Sequence, residues 1–353
     1  MTDHRSNKSH RARRGLGAML LALLPLSAAP MTQLYGGEMN EPTYADIRYG
    51  VHERNVMDVW LAQSDAPTPC VMYIHGGGWV AGDKGVYAKQ VPRFLNNGIS
   101  VVSINYRYLE QTIVDSGSSR GTGPIRKRGN YPEAPVGKVL LDAARALQFI
   151  RYKAKEWNID SRRIGVSGGS AGACSALWLN FHDDLADPDA DDPVKRQSTK
   201  PYCAATDGAQ TSLDPKQVQE WIPNTAYGMG AFGFIWDKSD PTVEFRSGLR
   251  YRDEVLPWIK EYSPYELVTK DDPPVYLYYH AGSPRKGKEV KDPNHSSNYG
   301  ALLVEKLEAL GLDYEFVHQD SQNPKHATIQ DYLIRRLKSE PQQNRAEKCQ
   351  AEK

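Results

Sequence analysis

Residues 168–172 read Gly168-Gly169-Ser170-Ala171-Gly172. The run before them, Arg163–Val166, is β-branched and apolar, as a short strand requires. The run after, Ser170–Leu179, has the composition of a helix. A serine placed between a strand and a helix, with glycine two positions to either side, must occupy a sharp turn. Small neighbours relieve the crowding of that turn, and the hydroxyl then stands above the sheet. The N-terminus of the helix also favours a developing negative charge nearby. This unit constrains the fold strongly, because it needs a sheet whose strands feed directly into helices.

The rest of the chain supplies such a sheet. Asn55–Ala62 alternates as an early strand. Cys70–Ile74 and Ile99–Tyr106 read as buried strands, and Cys203 begins another apolar run. Residues 86–96 have helical spacing, stopped by Gly98. Residues 109–134 are polar and rich in Gly, Ser and Pro, so they form a loop. Val139–Lys155 carries apolar residues at 140, 141, 144, 147 and 150, which predicts an amphipathic helix. Later come a strand at Val275–His280, a helix at Ser297–Leu310, a strand at Tyr314–Val317 and a helix at Ile329–Leu337. Strands alternating with helices predict an α/β fold with a mostly parallel, doubly wound sheet and helices on both faces. Its chemistry belongs at the carboxyl ends of the strands.

A second motif lies at such an end. His75-Gly76-Gly77-Gly78-Trp79 follows the strand that begins at Cys70. An attacked ester carbonyl becomes an oxyanion and needs backbone N–H groups aimed at it. Residues without side chains present those groups most closely. Read alone, this is a tight glycine turn beside a packed histidine. Combined with the serine turn about 95 residues later, in the right order, it points to acyl transfer.

With both motifs in view, the chain resembles the α/β-hydrolase esterases that carry H-G-G-G, in the hormone-sensitive-lipase-like and bacterial feruloyl-esterase-like branch. The similarity extends to Gly82-Asp83-Lys84, Tyr106-Arg107-Tyr108, Asp142-Ala143-Ala144-Arg145-Ala146 and Asp160-Ser161-Arg162-Arg163-Ile164, and runs from about residue 45 to 338. It implies the α/β-hydrolase fold with an inserted cap region, Ser170 as nucleophile, and an oxyanion hole formed by Gly77, Gly78 and Ala171. It implies no metal or organic cofactor.

The serine needs a base, and the order in this fold is serine, acid, histidine. His280, His295, His318 and His326 all lie late enough. His326, between the last strand and the last helix, is where the resemblance places the base, and His318 is the second choice. The local match is loose, since Pro324-Lys325-His326-Ala327 stands where the family often has G-H-x-F. The acid should follow the strand Val275–His280. Asp292 is favoured and Glu289 is second. Asp271 and Asp272, before that strand, read as turn residues.

The remaining features bound the function. Lys and Arg number 44 against 43 acidic residues, a net charge of +1. No global field draws the chain to nucleic acid or an anionic membrane. Residues 1–29 have the order of an export signal, with Arg5, Lys8, Arg11, Arg13 and Arg14 ahead of an apolar run from Leu16 to Ala29. That run is too short for a bilayer span, which takes ~20 residues. The expected organisation is signal 1–29, linker 30–44, hydrolase domain 45–340 with cap 210–262, and polar tail 341–353. The protein is expected to be exported, without stable membrane insertion once the signal is removed. Cys70, Cys174, Cys203 and Cys349 match no zinc spacing and read as buried small hydrophobes, with a single bridge left open. The acidic run Asp183 to Asp192 lacks the glycine and distal glutamate of a calcium loop. The expected activity is carboxylic ester hydrolysis, on short acyl or carbohydrate-linked esters. A non-catalytic binding protein of this fold, or a peptidase or amidase, is the alternative.

Overall fold

The computed structural model describes residues 41–109, 113–114, 126–127, 134–226, 228–234, 240 and 242–339. The expected signal 1–29, most of the linker 30–44 and the tail 341–353 lie outside the described residues.

An eight-stranded sheet forms the centre of the fold. Its strands are β1 (Tyr44–Arg48), β2 (Val56–Trp60), β3 (Thr68–Ile74), β4 (Ser100–Ile104), β7 (Ile159–Gly169), β8 (Ala204–Asp207), β9 (Val275–Tyr279) and β10 (Tyr314–His318). They lie in the order β1-β2-β4-β3-β7-β8-β9-β10. β1 with β2, and β2 with β4, pair antiparallel, and every later neighbour is parallel. β5 (Ile113–Val114) and β6 (Arg126–Lys127) form a separate two-stranded ribbon within the segment expected to be a loop. Every residue of β3 and β4 is buried. That is why neither sequence alternates apolar with polar residues, as central strands do not when helices cover both faces.

The helices are α1 (Val91–Leu95), α2 (Pro135–Lys153), α3 (Ala171–Phe181), α4 (Pro215–Trp221), α5 (Val243–Arg250), α6 (Arg252–Tyr262), α7 (Pro264–Leu267), α8 (Ser297–Leu310) and α9 (Ile329–Lys338). The helix expected at 86–96 is divided. Lys84–Gln90 is a 3-10 turn, and α1 begins only at Val91. Pro92 accounts for the break. It has no N–H to give and is tolerated only in the first turn of an α-helix. The strand expected at Arg163–Val166 extends to eleven residues, because Ile159 also pairs with Thr68 across a register shift. Cys70, Cys174 and Cys203 are buried and free. Burial alone drives the Cys70 and Cys174 thiols far up, and the Cys203 thiol is pushed up to about 12. Cys349 lies outside the described residues.

Helix α3 is buried along its whole length, and its first turn comes against the end of β3. A Cβ on Gly172 would lie 2.1 Å from the Ile74 carbonyl oxygen, and one on Gly168 would lie 2.6 Å from it. At Gly169 the nearest atom would be the Tyr87 hydroxyl at 3.6 Å, an ordinary contact. The two glycines that flank the serine at a distance of two are therefore required by the meeting of helix and strand. Gly172→Ala should cost about 1–3 kcal/mol through overpacking against backbone that cannot yield. Gly169→Ala should change stability by less than about 0.5 kcal/mol. Urea midpoints of the two variants check this contrast.

Candidate active site

Ser170 sits at the tip of the turn between β7 and α3 with φ 53° and ψ −120°. A non-glycine residue at positive φ is strained, and strain of this kind persists only where the surroundings enforce it. Here the Ser170 amide donates to the Asp207 carbonyl at the end of β8 (2.8 Å), while its own carbonyl accepts from the Cys174 amide (3.0 Å). Sheet and helix thus grip the residue from both sides and leave the hydroxyl outside.

The hydroxyl meets an imidazole, that of His295. Ser170 Oγ lies 3.0 Å from His295 Nε2, and His295 Nδ1 lies 2.9 Å from Asp292 Oδ2. An ionised carboxylate only accepts, so Nδ1 carries the proton and Nε2 accepts from the serine. Asp292 is fixed locally as well. Its Oδ1 accepts from the amides of Asn294 (3.1 Å) and His295 (3.3 Å). Burial raises the Asp292 carboxyl, but the His295 ring and these amides outweigh it and hold the group below its ordinary value. The loop ends in Ser296, which caps α8 through the Asn298 amide. This carboxylate and imidazole therefore stand three residues apart in one loop, directly before a capped helix.

The expectation for the base is corrected by this geometry. His326 does not meet the serine. It is buried, its Nδ1 lies 2.6 Å from Glu315 Oε1, and its ring stands nearly perpendicular to that of Tyr332. Its carbonyl accepts from the Tyr276 hydroxyl, which ties the segment down onto β9. His318, the second choice, packs against Phe316. Of the two acids weighed, His295 takes Asp292, and Glu289 is exposed in the same loop. The spacing Asp292-Pro293-Asn294-His295 ahead of a helix cap was a usable sequence signal. The family resemblance, which places the base between the last strand and the last helix, favoured His326 over it.

The glycine loop is held from below. His75 is fully buried and stacks on Tyr106 (4.2 Å between centroids), and its Nδ1 donates to the Gly76 carbonyl at 2.8 Å. Burial pulls the His75 imidazole down, Gly76 partly opposes this and Arg54 reinforces it, which favours the neutral ring. The Tyr106 hydroxyl donates to the His75 carbonyl, Arg54 donates to the carbonyls of Tyr106 and Gly82, and Tyr108 donates to Gly82. Gly77 and Gly78 have φ of 104° and 60°, and a Cβ on Gly77 would lie 2.3 Å from the Ala81 carbonyl oxygen. Trp79, also at positive φ, donates through its indole to Ser175 Oγ, which donates to the Ala171 carbonyl. The loop is thereby bonded to the nucleophile helix. Ala171 is the first residue of α3, where amide N–H groups have no acceptor within the helix.

The other recurrent motifs are braces. Lys84 pairs with Asp58 and Asp46, and Asp83 accepts from Gly85 and Asn105. Arg107 binds Asp142 on α2 by two guanidinium bonds of 2.8 and 2.7 Å and one amide bond of 3.0 Å. Asp160 holds Arg162 and Arg163. At the rim, Asp207 meets His280 at 3.2 Å. Burial raises the Asp207 carboxyl, partly offset by His280 and His295. The cleft over Ser170, about 330 Å³, is lined by Gly76, Gly169, Asp207, Gly208, His280, Asp292 and His295. No group of three or more metal-ligating side chains occurs among the described residues, the described part of the acidic run 183–192 included.

This is the architecture of an α/β-hydrolase with a serine at its nucleophile turn. Solved structures share the fold. A truncated carbohydrate esterase from gut microbiota matches with TM-score 0.57 and 18% identity over 86% of this chain and 99% of its own. An acetyl ester-xyloside bifunctional hydrolase from Caldicellulosiruptor lactoaceticus matches with TM-score 0.52 and 22% identity, over 76% and 78%. The family model described as BD-FAE matches residues 57–116. In sequence, the chain is similar to a probable isoprenylcysteine alpha-carbonyl methylesterase of Oryza sativa subsp. japonica, 27% identical over 38% of this chain and 27% of that protein. It is also similar to the esterase LipQ of Mycobacterium tuberculosis, 30% identical over 46% of this chain and 35% of that protein. The matched region thus spans about a quarter to a third of these curated relatives. The resemblance to H-G-G-G esterases read from the motifs holds.

Arg107→Leu would leave Asp142, which is 3% exposed, without its guanidinium. Removing one partner of a buried pair costs about 3–5 kcal/mol; with Arg107 itself 31% exposed in its side chain, a loss of about 2–4 kcal/mol is expected. Chemical denaturation measures it.

Proposed function

We propose that this protein is a carboxylic ester hydrolase that works through an acyl-enzyme, with Ser170 as nucleophile, His295 as base and Asp292 as its orienting acid. The observation that carries the reading is the continuous path from Ser170 Oγ to His295 Nε2 (3.0 Å) and from Nδ1 to Asp292 (2.9 Å). His295 takes the serine proton as Oγ attacks the ester carbon. It then returns that proton to the departing alcohol. A water activated by the same imidazole cleaves the acyl-enzyme. The amides of Gly77, Gly78 and Ala171 are assigned to the oxyanion. The two positive-φ glycines and the free first turn of α3 support that role.

Short acyl or carbohydrate-linked esters are the proposed substrates. Support comes from neighbours of the same fold that are named for acetyl ester and carbohydrate ester chemistry, and from a Thermogutta terrifontis esterase whose structure is described as butyrate-bound. Related structures of that enzyme are described as phosphonylated by sarin and cyclosarin, so a fluorophosphonate probe is the natural first assay. Wild-type protein should be labelled once, and Ser170→Ala should not be labelled.

Turnover of p-nitrophenyl acetate discriminates the residues. Ser170→Ala and His295→Ala should each lower kcat by about 10³-fold or more, and Asp292→Asn by about 10²–10⁴-fold. His326→Ala should leave kcat within about three-fold while lowering stability, because it opens a cavity beside Tyr332 and strands Glu315. The opposite ranking of His295 and His326 would sink the assignment.

Export is proposed on the basic-then-apolar order of residues 5–29. Protein recovered from the native host should begin near residue 30 by mass spectrometry. An intact Met1 on the mature protein would overturn this.

A further inference from the structure

Beside the catalytic cleft lies a second cavity, about 580 Å³ in volume, that shares His280, Asp292 and His295 with it. The side on which it opens has a chemical meaning. His295 must deliver a proton to the oxygen of the departing alcohol, so that oxygen has to come within hydrogen-bond reach of Nε2. The alcohol half of an ester must therefore lie beside the His295 imidazole, a residue that also lines this cavity. The acyl half remains between Ser170 and the glycine loop.

The cavity is lined by two cations, Arg285 and Lys291. Both are exposed, and neither side chain forms an ion pair among the described residues. The two carboxylates of the lining are differently placed. Asp292 is committed to His295, and Asp320 accepts from both the amide and the hydroxyl of Ser283. Those Ser283 bonds hold the Asp320 carboxyl below its ordinary value. Lys286 and Lys288 lie in the same loop, where Glu289 and Asp292 are the only acids between residues 285 and 292. The wall thus offers free cationic donors while its anions are already engaged. An Arg guanidinium and a Lys ammonium with no ion-pair partner among the described residues are suited to a carboxylate or phosphate oxygen.

We propose that this cavity is a subsite for an anionic group on the alcohol half of the ester, with Arg285 and Lys291 as the residues that select it. This rests on the esterase reading and adds the charge of the substrate to it. The loop 280–297 then has two tasks. It carries the acid and base, and it holds the leaving group beside them.

Two acetyl esters with similar phenol leaving groups test the idea. 3-Acetoxybenzoate carries the anion, and 3-acetoxybenzamide is its neutral counterpart. The wild-type protein should have a KM about five- to ten-fold lower for the benzoate in low salt. The difference should collapse in 0.5 M NaCl, because exposed charges are screened over a few Å. In the double variant Arg285→Gln, Lys291→Gln the advantage should vanish while kcat/KM for the benzamide stays unchanged. 3-Acetoxyphenyl phosphate, run alongside, separates a phosphate preference from a carboxylate one. Equal KM values for charged and neutral esters, or an advantage that survives in the double variant, would overturn the proposal. Failure of the esterase reading would look different: neither ester would be turned over, or turnover would survive Ser170→Ala. In that event the product, 3-hydroxybenzoate, titrated calorimetrically into Ser170→Ala protein with and without the double substitution, still decides the subsite. Binding that is lost with the two cations supports it, and no binding to either protein overturns it.

Discussion

The Ile74 carbonyl oxygen occupies the place where a side chain on residue 172 would begin. This one contact brings the end of β3 against the start of α3, and the chemistry depends on it. β3 runs into the glycine loop, and Ser170 stands directly before α3, so the same approach that excludes a methyl group sets the loop beside the serine. Gly168 and Gly172 permit the approach. The amide bond from Ser170 to Asp207 and the link from Trp79 through Ser175 to Ala171 hold it in register. Strain at Ser170 is sustained by these contacts rather than relieved, and it keeps the hydroxyl clear of its own helix.

Around this contact the structure is organised in concentric supports. His75 is the point at which they converge, buried between Tyr106 and the carbonyls of its own loop. Arg54 reaches beneath it to Tyr106 and Gly82, with its guanidinium 3.8 Å over the Tyr108 ring. Farther out, Arg107 and Asp142 join the end of β4 to α2. Several charged residues that look like candidates for chemistry are therefore there to position backbone. They allow glycines, which cannot hold a conformation through side chains of their own, to present a fixed set of amides.

The 280–297 loop is a contrasting element. It is longer and more polar than a strand-to-helix connection needs, and it brings the Asp292 carboxylate and the His295 imidazole to the serine from one side. Because Asp292 and His295 are only three residues apart, their relative geometry is set by a local turn and by the Ser296 cap. Among the described residues, no side chain of the last strand or last helix is bonded to the His295 ring. His326 is left to a packing role with Glu315 and Tyr332, and the tie from Tyr276 to its carbonyl keeps the segment against the sheet.

The sequence by itself determined the alternation of strands and helices, the parallel sheet, the turn at Ser170 and the glycine loop after β3. Each of these is a local matter of periodicity, glycine placement and side-chain bulk, and so it is legible without neighbours. It also narrowed the acid to one loop, since Asp292 and Glu289 both follow β9. The sequence could not decide which imidazole reaches the serine. Of the five histidines that follow Ser170 in the chain, four lie late enough, and each offers the same imidazole chemistry on paper. Only the tertiary structure decides among them, because the choice turns on distances between segments that are 125 residues apart for Ser170 and His295. The buried partner offered by Glu315 holds His326 elsewhere, and the Asp292 turn delivers His295 to the Ser170 hydroxyl.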